Sequence, residues 1–178
     1  CGLTAAGDAH CDWGEKQAQV TGPFARVHAL SRYACGVGAS DGSLQCWDSD
    51  GAPVDIEQPT TPVRDIGELM DEYFGAVRGA DGSVECWTPG TAKSDPVQGA
   101  TGFDRIEVGI DQACVYGASV QTVCFGELGE CDDQSLLDTP TEPLVDVAVG
   151  GTCNACGLRA DGSLVCWGPD YPDLTGGK

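Results

Sequence analysis

The chain has 178 residues, 41% of them hydrophobic, with 26 Gly, 10 Pro, 11 Cys and a single Met. It is too apolar for a disordered tail and long enough to bury one core. A formal charge of −19, from 28 acids and 9 bases, repels phosphates and anionic lipid, which argues against nucleic-acid and membrane-surface partners.

No stretch approaches the ~18 apolar residues of a membrane-spanning helix, so no membrane insertion is expected. Thiols in a cytosolic chain are held reduced, so this cysteine density points to an extracellular or cell-surface location. No leader is visible, and the expectation is that any such segment has been removed. Cys1 reads as a disulfide partner rather than a lipid-attachment residue.

Taken in chain order, one unit recurs. The first copy spans residues 1–13, from Cys1 to Cys11 and Trp13, with Ala5-Ala6-Gly7 at a hairpin tip that sets Cys1 opposite Cys11. A short strand, Ala25 to Leu30, then precedes the copy at 35–47, where a four-residue loop Ala39 to Gly42 sets Cys35 opposite Cys46, followed by Trp47. Val63 to Leu69 precedes the copy at 75–87, which ends Cys86-Trp87 with no partner cysteine: Gly75 or Ala76 faces Cys86. Arg105 to Gly109 precedes the copy at 114–125, where a three-residue loop Ala118-Ser119-Val120 would set Cys114 opposite Cys124, followed by Phe125. Val145 to Val149 precedes the last copy, 156–167, where Ala160-Asp161-Gly162 sets Cys156 opposite Cys166, followed by Trp167.

Each copy reads as a β-hairpin. Apolar segments flank a tip that in three copies is Asp-Gly, and Gly supplies the left-handed residue such loops need. Facing residues of an antiparallel pair lie ~4.5–5.5 Å apart at Cα, which a disulfide bridges. Four intra-hairpin bridges are therefore expected. In Cys46-Trp47 the two side chains take opposite faces, so Cys staples its hairpin while Trp fills the gap to a neighbour.

The closing aromatics Trp13, Trp47, Trp87, Phe125 and Trp167 recur with a period of about 40, and all five are expected to be equivalent buried positions between repeats. Repeats of that length with three or four strands each predict an all-β fold, a small β-propeller of about five units forming one domain over 1–178. The first hairpin lacks the upstream strand of the other four, so its blade is expected to be incomplete.

The stretch Ala155-Cys156-Gly157-Leu158-Arg159-Ala160-Asp161-Gly162-Ser163-Leu164-Val165-Cys166-Trp167-Gly168 resembles the repeat of the regulator-of-chromosome-condensation family, and more closely its secreted, cysteine-bearing bacterial relatives. The resemblance covers most of the chain in five copies, where family propellers commonly have seven blades. It implies a β-propeller used mainly for protein–protein binding; one secreted branch inhibits β-lactamases. Exchange-factor activity on a nuclear GTPase does not suit a disulfide-rich chain of charge −19.

Residues outside the repeat show no catalytic site. Gly38-Ala39-Ser40-Asp41-Gly42 matches the nucleophile elbow of hydrolases, but that motif needs a helix after the turn and here a strand follows. Two histidines, His10 and His28, give a triad or a zinc site little to draw on. Cys153-Asn154-Ala155-Cys156 is a C-x-x-C, yet Cys156 belongs to the repeat, so Cys153 is expected to bridge Cys131. Cys86 is left as a buried thiol or an intermolecular one. Asp48-Ser49-Asp50-Gly51 and Glu130-Cys131-Asp132-Asp133 are acidic loops; they read as solvent-facing, with Ca²⁺ as the minor alternative and no other metal or cofactor expected. Thr60, Thr61, Thr139 and Thr141, in Thr/Pro-rich connectors, are candidates for O-linked sugar.

The function expected on these grounds is a non-enzymatic extracellular protein that associates with itself, as a surface assembly or filament subunit. The alternative is a soluble secreted binder or inhibitor acting through the loops of one propeller face.

Overall fold

The computed structural model describes residues 1–30, 32–54, 62–69, 73–87, 95–96, 101–109, 112–125, 139–140, 142–150 and 154–168. All of its regular elements are strands, in five small antiparallel sheets ordered as the chain runs. The first sheet holds β1 (Gly2–Leu3), β2 (Ala9–Asp12) and β3 (Gln17–Val20). The second holds β4 (Phe24–Ala29), β5 (Ala34–Gly38), β6 (Leu44–Trp47) and β7 (Pro53–Val54). The third holds β8 (Val63–Leu69), β9 (Tyr73–Arg78), β10 (Val84–Trp87) and β11 (Asp95–Pro96). The fourth holds β12 (Arg105–Val108), β13 (Ala113–Gly117) and β14 (Val120–Phe125), and the fifth β15 (Asp146–Val149), β16 (Ala155–Leu158) and β17 (Leu164–Trp167). The short strands β3, β7 and β11 carry too little pattern to stand out in the sequence.

Hairpin register follows from the tips. Gly42 closes its four-residue loop at φ +64° and Gly162 its three-residue loop at φ +84°, a region open to Gly without Cβ strain. The resulting pairs are Cys35 with Cys46 and Cys156 with Cys166. Disulfides join Cys1–Cys11, Cys35–Cys46, Cys114–Cys124 and Cys156–Cys166, at Cα separations of 4.0 to 4.1 Å. In the third sheet Cys86 faces Gly75, so that hairpin has no staple. Cys131 and Cys153 lie outside the described residues.

Two expectations need correction. Val120 is not a loop residue: it pairs with Gly117, leaving a two-residue tip, Ala118-Ser119, and a bulge further along β14. A β-branched residue cannot take the left-handed tip position that Gly fills elsewhere, so it joins the strand and the surplus residue moves into the bulge. Trp13 is not equivalent to Trp47 and Trp167. Asp12 follows Cys11 at that register position, and Trp13 lies one residue past the end of β2, partly buried. Trp47 and Trp167 are buried, while the side chains of Trp87 and Phe125 lie outside the described residues.

Among the described residues the apolar core forms four clusters, each between consecutive sheets. Ala9, Cys11 and Ala18 of the first sheet meet Phe24, Ala34 and Trp47 of the second. Cys35, Val37, Leu44 and Cys46 meet Val63 and Ile66. Val77 and Val84 meet Phe103, Ile106 and Val115. Cys114 and Tyr116 meet Leu144, Val147, Val165 and Trp167. Where Phe24 and Leu144 cross the next strand, the residue beneath is Gly36 or Gly157, and an added Cβ would run into the covering side chain.

Three of the four handovers are fixed by a backbone bond as well. The Phe24 amide donates to the carbonyl of tip residue Gly7 at 2.9 Å, Val63 to Gly42 at 2.9 Å and Phe103 to Gly82 at 3.1 Å.

Replacing both Cys35 and Cys46 by Ala opens a closure of sequence separation 11. Stability should fall by about 3 kcal/mol from unfolded-chain entropy. Urea unfolding in non-reducing buffer measures it, and an unchanged midpoint would show that the staple contributes little.

Candidate functional site

The leading strands β4, β8, β12 and β15 share one register. Arg26 pairs with Val37, Asp65 with Val77, Arg105 with Tyr116 and Asp146 with Leu158, in each case two residues past the repeat cysteine or its Gly75 equivalent. The next residue, Val27, Ile66, Ile106 or Val147, packs into an intersheet cluster. The first of these positions thus reads Arg, Asp, Arg, Asp across four consecutive sheets.

Asp65 is the hub. It is 1% exposed. Its Oδ2 accepts the amide of Ile106 in the fourth sheet at 3.1 Å. Its Oδ1 lies 2.7 Å from His28 Nε2 and 3.7 Å from Arg26 Nε in the second sheet. The His28 approach is a close electrostatic contact, without hydrogen-bond alignment. One carboxylate therefore ties three sheets together, and a buried charge is tolerable only with such partners.

Around it, Arg64 Nη1 donates to Asp104 Oδ1 at 2.9 Å and to the Phe103 carbonyl at 3.3 Å. The Tyr116 hydroxyl donates to Asp146 Oδ1 at 3.1 Å. Burial, with the Asp146 charge beside it, holds that hydroxyl protonated well above the usual tyrosine range. Half-buried Glu107 has its carboxyl pushed up, first by burial and then by the charges of Asp65 and Asp146, against the pull of His28 and Arg105.

Other sequence candidates fall elsewhere. Ser40 is exposed on a strand-to-strand tip, not on a turn into a helix. Asp48 Oδ1 accepts the amides of Asp50 and Ala52, and Asp50 pairs with Lys16 at 2.7 Å, so the first acidic loop satisfies its own turn. The Glu130 to Asp133 loop, Thr60, Thr61 and Thr141 lie outside the described residues. Thr139 is partly buried and outside any strand. The alternating charges escaped the sequence reading, although a charged residue before Val or Ile at 26, 65, 105 and 146 is their signal.

No protein-family model matches the chain, and no curated protein matches it. Solved structures do. The WD40 ectodomain of the Arabidopsis thaliana receptor kinase ACR4 is 25% identical with a TM-score of 0.54, over 83% of this chain and 50% of that one. The ectodomain of the Physcomitrella patens receptor kinase CR4 is 19% identical with a TM-score of 0.56, over 86% and 41%. Saccharomyces cerevisiae Prp20p is 13% identical with a TM-score of 0.59, over 86% and 49%. The fold is a β-propeller whose sheets are blades, and the chain spans about half the length of these neighbours.

Asp65→Ala should strand the Ile106 amide and leave Arg26 without its carboxylate. A loss of about 2–3 kcal/mol is expected from the unsatisfied buried donor, read by denaturant unfolding. Glu107→Gln should stabilise the fold at pH 7. A carboxyl with a raised folded-state pKa favours the protonated form, so its stability is full at low pH and lost as pH rises through that pKa. Thermal melts at pH 7 and pH 4 check it, with the advantage of the variant vanishing at the lower pH.

Proposed function

We propose that this chain is an extracellular interaction module that assembles with copies of itself through the free edge of β1. The carrying observation is the first sheet. Among the described residues β1 is hydrogen-bonded on one side only, to β2. Thr4 donates to the Asp8 carbonyl, so by antiparallel alternation the N–H and C=O of Leu3 point away from β2. Backbone groups on such an edge are completed by a strand from another chain. Four disulfides and the likeness to receptor ectodomains support an extracellular setting. Kinship with the secreted cysteine-bearing bacterial branch belongs to the same proposal, and the role needs no cofactor.

The charge of −19 opposes association, but salt screens it beyond ~8 Å at physiological strength, leaving short-range strand pairing to act. Sedimentation or native mass measurement under non-reducing conditions should show oligomers that grow with added salt. Leu3→Pro removes an outward donor and should shift the distribution to monomer with the melting temperature nearly unchanged. A strictly monomeric wild-type chain at all salt concentrations overturns self-association and leaves the soluble binder.

A further inference from the structure

Among the described residues the outer strands of the first three sheets, β3, β7 and β11, each bond a neighbour on one side only. Such an edge turns the N–H and C=O of alternate residues outward. In the second sheet Asp48 donates to the Ala52 carbonyl, so the next pair, Trp47 with Pro53, turns its backbone groups away from each other. The outward nitrogen of β7 is therefore that of Pro53, which carries no hydrogen. In the third sheet Cys86 holds the register of Cys46 and pairs with Asp95, so Pro96, opposite Glu85, takes the same outward place. Proline at that position removes the donor that another strand would need.

The strand β3 has no such block. Trp13 donates to the Lys16 carbonyl, which makes Cys11 with Ala18 and Ala9 with Val20 the bonded pairs and turns the N–H and C=O of Gln17 and Gln19 outward. Among the described residues nothing bonds to these backbone groups. The difference lies in the strands themselves: two outer edges carry a proline where the third carries a donor. The side chains along β3 are mainly acidic. Lys16, just before the strand, reaches Asp50 of the loop between β6 and β7 at 2.7 Å, and the charge of Asp48 acts on it too. Gly51 of that loop rests against Ala18, where an added Cβ would stand 3.5 Å from the Ala18 side chain. Gln17 Nε2 donates to Asp12 Oδ2 at 3.2 Å. The edge thus runs past three carboxylates and one ammonium, in a chain of formal charge −19.

We infer that the outer edge of β3 takes up an extended, basic segment of a partner polypeptide as a further strand of the first sheet, with Lys or Arg on alternate residues facing Asp48 and Asp50. The backbone groups of Gln17 and Gln19 bond the incoming strand. Its bases supply the positive charge that Lys16 alone leaves unmatched. A second copy of this chain would bring the same acids against these, so charge favours a different, basic polypeptide. The site is on the opposite edge of the sheet from β1 and does not depend on self-association.

The test uses the full oxidised chain, ¹⁵N-labelled, and the synthetic peptide Lys-Val-Arg-Val-Lys-Val with both ends blocked. The amides of Gln17 and Gln19 should shift saturably, and at saturating peptide their hydrogen exchange should slow by about tenfold as they acquire acceptors. Gln19→Pro copies the block of Pro53 and Pro96 and leaves the bonds to β2 intact, so it should weaken binding roughly tenfold with an unchanged melting temperature. Asp50→Asn should weaken binding about threefold, and added salt should weaken it too, the opposite of the salt effect expected for oligomers through β1. Leu3→Pro should leave the titration unchanged, so failure of the β1 reading shows only in the oligomer measurement. Three results overturn the inference: no shifts at millimolar peptide, equal binding by a peptide with Glu in place of each base, or wild-type affinity in Gln19→Pro. A fourth is slowed exchange at Gln17 and Gln19 in oligomers of the chain without peptide, which would give the edge to a second copy.

Discussion

A sheet of three or four short strands has two faces and too few residues to shield either. Every apolar cluster among the described residues answers that constraint by lying between sheets rather than within one. The leading strand of each blade thus has two duties: its backbone completes its own sheet, and its apolar side chains close the sheet before it. Leu44, Val84 and Tyr116 are buried because a Val, Phe or Leu from the next repeat crosses over them. Cross-blade contact, more than strand propensity, explains why a β-branched residue follows the charged one in all four leading strands.

Geometry at the crossing is set by small residues. Gly36 and Gly157 leave room for Phe24 and Leu144, so bulk on one strand is matched by its absence on the next. The tip glycines act twice, as left-handed turn residues and as carbonyl acceptors for the first amide of the following blade. The fourth blade lacks a tip Gly, and a single bridge between Gln121 and Pro143 forms near the same handover. Polar contacts add a second layer. Asp65 reaches two other blades with one carboxylate, which makes charge at the leading strands a matter of blade order as well as of surface.

Much of this was legible because its determinants are local. Asp-Gly tips and cysteines ten or eleven residues apart fix hairpin register, and register fixes which cysteines meet. The leading strands also stood out, β8 with the bounds Val63 to Leu69. The misreadings have local causes too. Asp12 interrupts the Cys-Trp pair of the first repeat, so counting aromatics gave Trp13 a place it does not hold. Val120 was read as a tip by analogy with hairpins that own a glycine. The alternation of Arg26, Asp65, Arg105 and Asp146 stayed hidden because neighbours about 40 residues apart meet only once blades are stacked. Edges are likewise properties of the stack.

The four bridges share a further property. Each joins residues only 10 or 11 apart in sequence, on facing strands of one hairpin. None of these four links one blade to another. Correct cysteine pairing therefore requires nothing beyond a formed hairpin, and a blade can be oxidised before its neighbour exists. Through these four bridges, covalent order arrives one blade at a time. A stapled repeat of this kind can be gained or lost without the sulfurs of these four bridges having to find new partners.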